Sequence, residues 1–227
     1  MRTAVIIPAL NEAGNVGDLV RETFAQGVAD VIVADNGSTD GTALAAREAG
    51  ARVVTEPRRG YGYACAAGAA VATGDVLVFL DGDGSSLPAE LDRLLAPLRS
   101  GEADLVLGSR SLGHIAPGAM PAHQRFGNWL MARAMRLFYG VPVTDLGPYR
   151  AISRALLTAL DMREMTFGWP VEMMVKAARR NTRIIEVPVS HVPRRAGRSK
   201  VGGSVLGSLL AAYHIVTVIL RYAFAPH

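Results

Sequence analysis

Cysteine occurs once in 227 residues, at Cys65, so the chain forms no intramolecular disulfide and assembles no cysteine-based zinc site. That usage suits a reducing compartment. Long hydrophobic runs are also missing: the longest, residues 205–220, carries Ser208, His214 and Thr217 and is shorter than the roughly 20 residues of a membrane-spanning helix. The first apolar run, residues 4–7 before Pro8, is too short for the core of a signal peptide, so a cytoplasmic location is expected. Neither charge sign dominates. The 24 Lys and Arg against 20 Asp and Glu leave +4, which suits an anionic substrate or membrane surface but is too small to demand nucleic acid. Repeats and long low-complexity tracts are absent, and none of the five histidines has the spacing of a metal pair. What is present is half hydrophobic and 19% charged, the composition of one globular domain rather than a disordered chain.

Apolar runs of strand length recur at 4–7, 31–34, 52–55, 76–80, 104–107 and 184–189, with helical patterns such as 15–26, 42–49 and 64–72 between the early ones. This alternation predicts an α/β fold whose mostly parallel central sheet is flanked by helices on both faces. Gly50 stands where a helix C-cap is expected, and Asp40 or Thr42 where its N-cap is. After Ser111 the alternation weakens into a Gly- and Pro-rich loop at 112–121, followed by an apolar helix at 124–139. Residues 194–203 read as a loop of small and basic residues. The tail, 204–223, reads as an amphipathic helix that either lies on a bilayer, helped by Arg194, Arg195, Arg198, Lys200 and Arg221, or packs on its own domain or in a homodimer.

Open parallel sheets bind ligands beyond the carboxyl ends of their strands, so polar residues there are the first candidates for chemistry. The run V-L-V-F-L-D-G-D-G-S-S from Val76 ends a buried strand in Asp81 and Asp83, two hard oxygen ligands on one tight turn, suited to Mg²⁺ or Mn²⁺ with positions left for a diphosphate. An EF-hand loop is disfavoured because Ser86 and Asp92 stand where Gly and Glu are required. A dehalogenase-type phosphatase with Asp81 as nucleophile is a lesser rival. Beyond the first two strands lie P-A-L-N-E, with Pro8, Asn11 and Glu12, and D-N-G-S-T-D-G-T, with Asp35 and Asp40; these suit a nucleoside. Gly60-Tyr61-Gly62 lacks the third glycine and the preceding strand of a dinucleotide fingerprint, and reads as a turn feeding a helix near the donor.

Together with L-G-S-R, T-D-L-G-P-Y-R and R-x-G-x-S-K, in this order, these segments resemble a family 2 glycosyltransferase of the dolichol-phosphate-mannose-synthase-like group, from Val5 to about Val201. The resemblance implies a GT-A (Rossmann-like) fold, a nucleotide-sugar donor (UDP- or GDP-linked), Mg²⁺ or Mn²⁺, inversion at the anomeric carbon and a polyprenyl-phosphate-type lipid acceptor. It also implies roles: Glu12 and Asp35 at the base and ribose, Asp81 facing the nucleotide and Asp83 the metal. Arg110 and Arg125 would hold phosphates, Asp145 would lie near sugar and acceptor, and Lys200 with Arg198 and Ser199 would close over the diphosphate. Trp169 and Glu172 would face the acceptor cleft, with core packing the alternative for Trp169, and Asp145 or Glu172 is the general-base candidate if the acceptor is a hydroxyl. One catalytic domain is expected over 1–203, its donor half 1–111 and its acceptor half 112–203, with the helix 204–227 appended. Two departures stand out: Asn36 replaces the second Asp of the usual D-D-x-S-x-D, and Leu146-Gly147-Pro148-Tyr149-Arg150 replaces Thr-Ser-Gly-Phe-Arg. Two other readings stay open, transfer to a soluble or saccharide hydroxyl and a silent nucleotide-sugar-binding partner of a membrane protein.

Overall fold

The computed structural model describes residues 1–197 and 205–224. Its strands are β1 (Thr3–Ala9), β2 (Asp30–Asp35), β3 (Arg52–Thr55), β4 (Val76–Phe79), β5 (Leu105–Ser109), β6 (Arg150–Ser153) and β7 (Ile184–Pro188). They form one sheet in the order β3-β2-β1-β4-β6-β5-β7, parallel throughout except β6, which runs against both neighbours. The expected α/β class with a mostly parallel sheet is therefore the observed one. Six strands fall on the apolar runs of the sequence; β6 does not.

Helices α1 (Ala13–Phe24), α2 (Thr42–Glu48) and α4 (Leu91–Arg99) cover one face, and α3 (Tyr61–Val71), α5 (Ala122–Tyr139), α7 (Trp169–Arg179) and α8 (Val205–Ala223) the other, with α6 (Arg154–Leu160) following β6. The two-residue period of β1 divides its side chains between the layers: Val5 and Ile7 pack with Val16, Leu19 and Leu94, whereas Ala4 and Ile6 pack with Cys65 and Met135. Each fully buried Leu or Ile contributes about 1.5–3 kcal/mol. Gly50, directly after α2, has φ +95° and closes that helix as expected.

The sequence reading stops β1 at Pro8, yet the strand continues to Ala9, with Pro8 buried opposite Ala34. Leu80 donates to the Ile6 carbonyl, so even-numbered residues of β1 face β4. Pro8 sits beyond the end of β4, where its missing N–H deprives no strand of a partner.

The tail helix packs on its own domain. Val218 and Ile219 are buried in the core, Tyr139 donates its hydroxyl to the Ile219 carbonyl at 2.5 Å, and Arg179 donates to that of Tyr222 at 3.0 Å. Its other face leaves Leu210, Tyr213, Leu220 and Phe224 exposed, beside the exposed Leu137 and Phe138 of α5. No helix among the described residues is long and apolar enough to cross a membrane.

Candidate active site

Strand direction assembles the site. The parallel strands β1, β2, β4 and β5 end at one edge of the sheet and deliver Glu12, Asp35, Asp81 and Arg110 there. Because β6 is antiparallel, its first residue, Arg150, pairs with Phe79 and Leu107 near the ends of β4 and β5, so the preceding loop brings Asp145 to the same edge. The reversed strand is the link that the sequence pattern did not reveal.

On the donor side, two loops are stitched together. Asn11, held at φ +52°, accepts from the Thr39 N–H at 2.8 Å; the Glu12 N–H donates to Thr42 Oγ1 at 2.8 Å. Asp40 receives the N–H groups of Ala13 and Thr42, the first residues of α1 and α2, at 3.2 and 3.0 Å. Burial opposes its charge, yet these hydrogen bonds hold its carboxyl below the ordinary value. Asp40 thus serves both helix starts, and its carboxylate is engaged there rather than presented as a hook for ribose or phosphate. Asp35 accepts from the Ser38 N–H, and Glu12 is bridged at 2.7 Å by Arg194 from the basic loop. Arg198, Ser199 and Lys200 lie outside the described residues.

Asn36 explains its own departure from the usual Asp. Its amide donates to the carbonyls of Glu56 and Arg58 at 3.1 and 2.7 Å and accepts from the Gly60 N–H at 2.9 Å. A carboxylate has no hydrogens for the first two bonds. Gly60 itself, at φ +151°, packs backbone to backbone: a Cβ there would stand 2.3 Å from the Met165 carbonyl oxygen.

Beyond β4, Asp81 accepts from the buried Tyr61 hydroxyl at 2.9 Å, and Asp83 accepts from the Ser85 N–H at 2.9 Å. Burial, then the neighbouring Asp83, push the Asp81 carboxyl up to about 7, against the pull of Tyr61, Arg110 and Arg150. Two carboxylates that repel each other when both are charged are suited to a cation between them. The Asp81–Ser86 loop is bound in turn to the strand-like segment after β7, where Val192 donates to the Ser85 carbonyl and His191 bridges Ser86. His191 has a buried Nδ1 with no hydrogen-bond partner among the described residues, and burial, then Arg110, hold its imidazole below the ordinary value against the opposing pull of Asp83 and Asp145. Among the described residues no three His, Cys, Asp or Glu side chains converge on one point, and the Asp81 and Asp83 carboxylates are hard oxygen donors of the kind that Mg²⁺ and Mn²⁺ take.

On the acceptor side, Arg110 and Asp145 are brought into direct contact: Nε to Oδ2 at 2.8 Å and Nη2 to Oδ1 at 2.7 Å, with the Arg110 N–H also on Oδ2 at 2.7 Å. Burial opposes the Asp145 charge, but Arg110 outweighs it and holds the carboxyl below the usual range. Two residues that sequence reasoning missed fix this loop: Glu186 of β7 accepts the N–H groups of Thr144 and Asp145, and Asn128 of α5 accepts that of Leu146. Their partners are backbone groups 18 to 42 residues away, which no sequence motif displays. A cavity of about 420 Å³ adjoins, lined by Arg110, Ser111, Gly113, Met120, Arg125 and Trp129. Arg110 and Arg125 both line it, beside the polar Ser111 and Asn128 and the apolar Ile115, Met120 and Trp129.

Glu172 corrects the expectation of a cleft-facing acid. It is fully buried and accepts from the N–H groups of Arg163 and Glu164, from Lys176 and from the Tyr222 hydroxyl. With its oxygens so engaged, it has no free position at which to take an acceptor proton. Trp169 is likewise buried, its ring edge-on to Phe79 at 4.7 Å.

Residues 4–160 match the glycosyl transferase family 2. The chain belongs to that family. It is 39% identical over 215 residues to an uncharacterised glycosyltransferase of Mycobacterium tuberculosis, covering 95% of this chain and 96% of that one. It is 34% identical over 227 residues to the undecaprenyl-phosphate mannosyltransferase of Micrococcus luteus, covering 91% and 90%. Among solved structures, glucosyl-3-phosphoglycerate synthase from Mycobacterium tuberculosis, in complex with Mn²⁺, UDP and phosphoglyceric acid, superposes with TM-score 0.80 at 26% identity, over 100% of this chain and 80% of that one. This family 2 glycosyltransferase thus has a GT-A-like architecture.

Proposed function

We propose that this glycosyltransferase transfers a hexose, with inversion, from a UDP- or GDP-linked sugar to a polyprenyl phosphate. The observation that carries the acceptor class is the cavity lined by Arg110, Arg125 and Trp129, the last stacked on the exposed Phe126, with α5 and α8 exposing apolar residues and carrying no acidic residue. That combination suits a lipid phosphate at an anionic membrane face, where the enzyme would be peripherally bound. The named relative from Micrococcus luteus, an undecaprenyl-phosphate mannosyltransferase, supports the same reading.

Asp81 and Asp83 would hold Mg²⁺ or Mn²⁺, which when bound neutralises charge on the departing nucleoside diphosphate. Glu12 and Asp35 would meet the nucleoside. Arg110 would supply a further positive charge at the reacting centre, held in place by Asp145. A phosphate monoester acceptor is already anionic at neutral pH, so the site needs to position it rather than deprotonate it. The saturated Asp145 carboxylate agrees with that division of labour.

A second reading has its own support: the same cavity and its two arginines suit a compact soluble anion, and the structural neighbour was solved with phosphoglyceric acid. Incubating the protein with Mg²⁺ or Mn²⁺, a mixture of UDP- and GDP-sugars and either undecaprenyl phosphate or 3-phosphoglycerate, followed by mass spectrometry, separates them. A hexosyl-phosphoprenol is the expected product. A glycosylated phosphoglycerate alone would replace the lipid reading.

A further inference from the structure

We propose that Glu172 is a positioning residue for the donor site, acting through the Gly60–Gly62 turn and Tyr61 on Asp81. The role rests on the donor-site reading of Asp81 given above. A fully buried carboxylate is costly, and this one satisfies four donors from three places in the fold. Its Oε2 receives the N–H groups of Arg163 and Glu164 at 2.9 and 2.7 Å, while its Oε1 receives Lys176 of α7 at 2.9 Å and the Tyr222 hydroxyl of α8 at 2.5 Å. Glu172 therefore ties the segment at 163–164 to both helices.

That segment bears directly on the donor turn with no side chain between them. A Cβ added to Gly62 would stand 2.6 Å from the Glu164 carbonyl oxygen, and the Tyr63 N–H donates to the Met165 carbonyl at 3.3 Å. Backbone so closely packed transmits displacements of a few tenths of an ångström. Tyr61, between the two glycines, begins α3 and sets its hydroxyl 2.9 Å from Asp81 Oδ1. Through these contacts, the seating of α8 and the orientation of the first acid of the Asp-x-Asp pair are coupled.

The test uses the full chain with Tyr222→Phe, which removes one hydroxyl from Glu172, together with Glu172→Gln and the remote core variant Leu95→Ala. Amide exchange is followed over residues 60–64, and Mn²⁺-dependent binding of UDP and GDP by calorimetry. Tyr222→Phe is expected to speed exchange at 60–64 and to weaken nucleotide binding by about 2- to 30-fold, the range of couplings carried through packed networks. Leu95→Ala, destabilised elsewhere, is expected to change neither. Unchanged exchange at 60–64 in Tyr222→Phe, or the same binding loss in Leu95→Ala, would overturn the proposal. Wild-type protein that binds neither nucleotide would overturn the donor-site reading and this role with it, even where the exchange responds.

Discussion

Arg110 and Asp145, 35 residues apart, meet as a two-pronged ion pair at 2.7 and 2.8 Å, joining the loop after β5 to the loop before β6. Asp145 is 1% exposed, so the pair is built into the protein rather than laid on its surface. Arg110→Ala would leave an uncompensated buried carboxylate and should cost about 3–5 kcal/mol. Combining it with Asp145→Asn should recover much of that loss. Urea midpoints of the three proteins measure both effects, and equal losses in single and double variants would contradict the pairing.

The same pair sets a pH dependence. In the folded protein the Asp145 carboxyl titrates below its ordinary 3.8, so the stability it contributes is complete above the unfolded value and lost as pH falls through the folded one. In Arg110→Ala the guanidinium is lost and only the backbone N–H groups of residues 110 and 147 still oppose burial, the largest influence on this carboxyl, so the folded value should rise above the unfolded one and reverse the sign. That variant should lose stability as pH rises through the unfolded value toward the folded one. Chemical denaturation between pH 3 and 7 should show the two opposite slopes.

Asn36→Asp would match the D-D-x-S-x-D pattern of the group that the sequence resembles, and should nevertheless destabilise this chain. Two donors to the Glu56 and Arg58 carbonyls are lost, and unmade bonds of this kind cost about 1–3 kcal/mol each. Thermal unfolding reads the loss. A variant as stable as the parent would show that the amide hydrogens do not matter.

Asp83→Ala should abolish the increment that Mn²⁺ adds to nucleotide binding, leaving binding in chelator unchanged. Calorimetry with and without metal measures it, and an intact increment would remove Asp83 from the metal site.

Membrane contact predicts a charge effect without a folding effect. Leu137 is 79% exposed, so Leu137→Glu should change stability by no more than about 0.5 kcal/mol. Flotation with vesicles containing anionic lipid should nonetheless fall severalfold. Unchanged flotation would detach α5 from the lipid-facing surface.

The parallel strands are legible because each is short and centred on an apolar run, unbroken in Val76–Phe79 before Asp81 and interrupted only by Glu186 in β7. Strand β6 is not: R-A-I-S carries a fully buried arginine whose guanidinium is satisfied by the carbonyls of Gly147 and Pro170, an arrangement that hydropathy reads as surface. The family resemblance points to Arg110, Arg125 and Asp145 separately, but the contact of Arg110 with Asp145 depends on the reversed strand. Only the family resemblance puts Glu172 at the cleft, and the sequence does not correct it, because a carboxylate near a tryptophan looks the same whether it meets solvent or four buried donors.

The reversal at β6 divides the enzyme by direction of travel. Glu12, Asp35, Asp81 and Asp83, which would meet the donor, leave the sheet along β1, β2 and β4, while the segment that carries Arg125 and Asp145 departs after β5 and returns against the grain before Arg150. Residues 110–149 therefore form one continuous excursion anchored at both ends by paired strands. Because Arg110 and Asp145 stand near its two ends and bind each other, a change in its length or register would be felt at their ion pair.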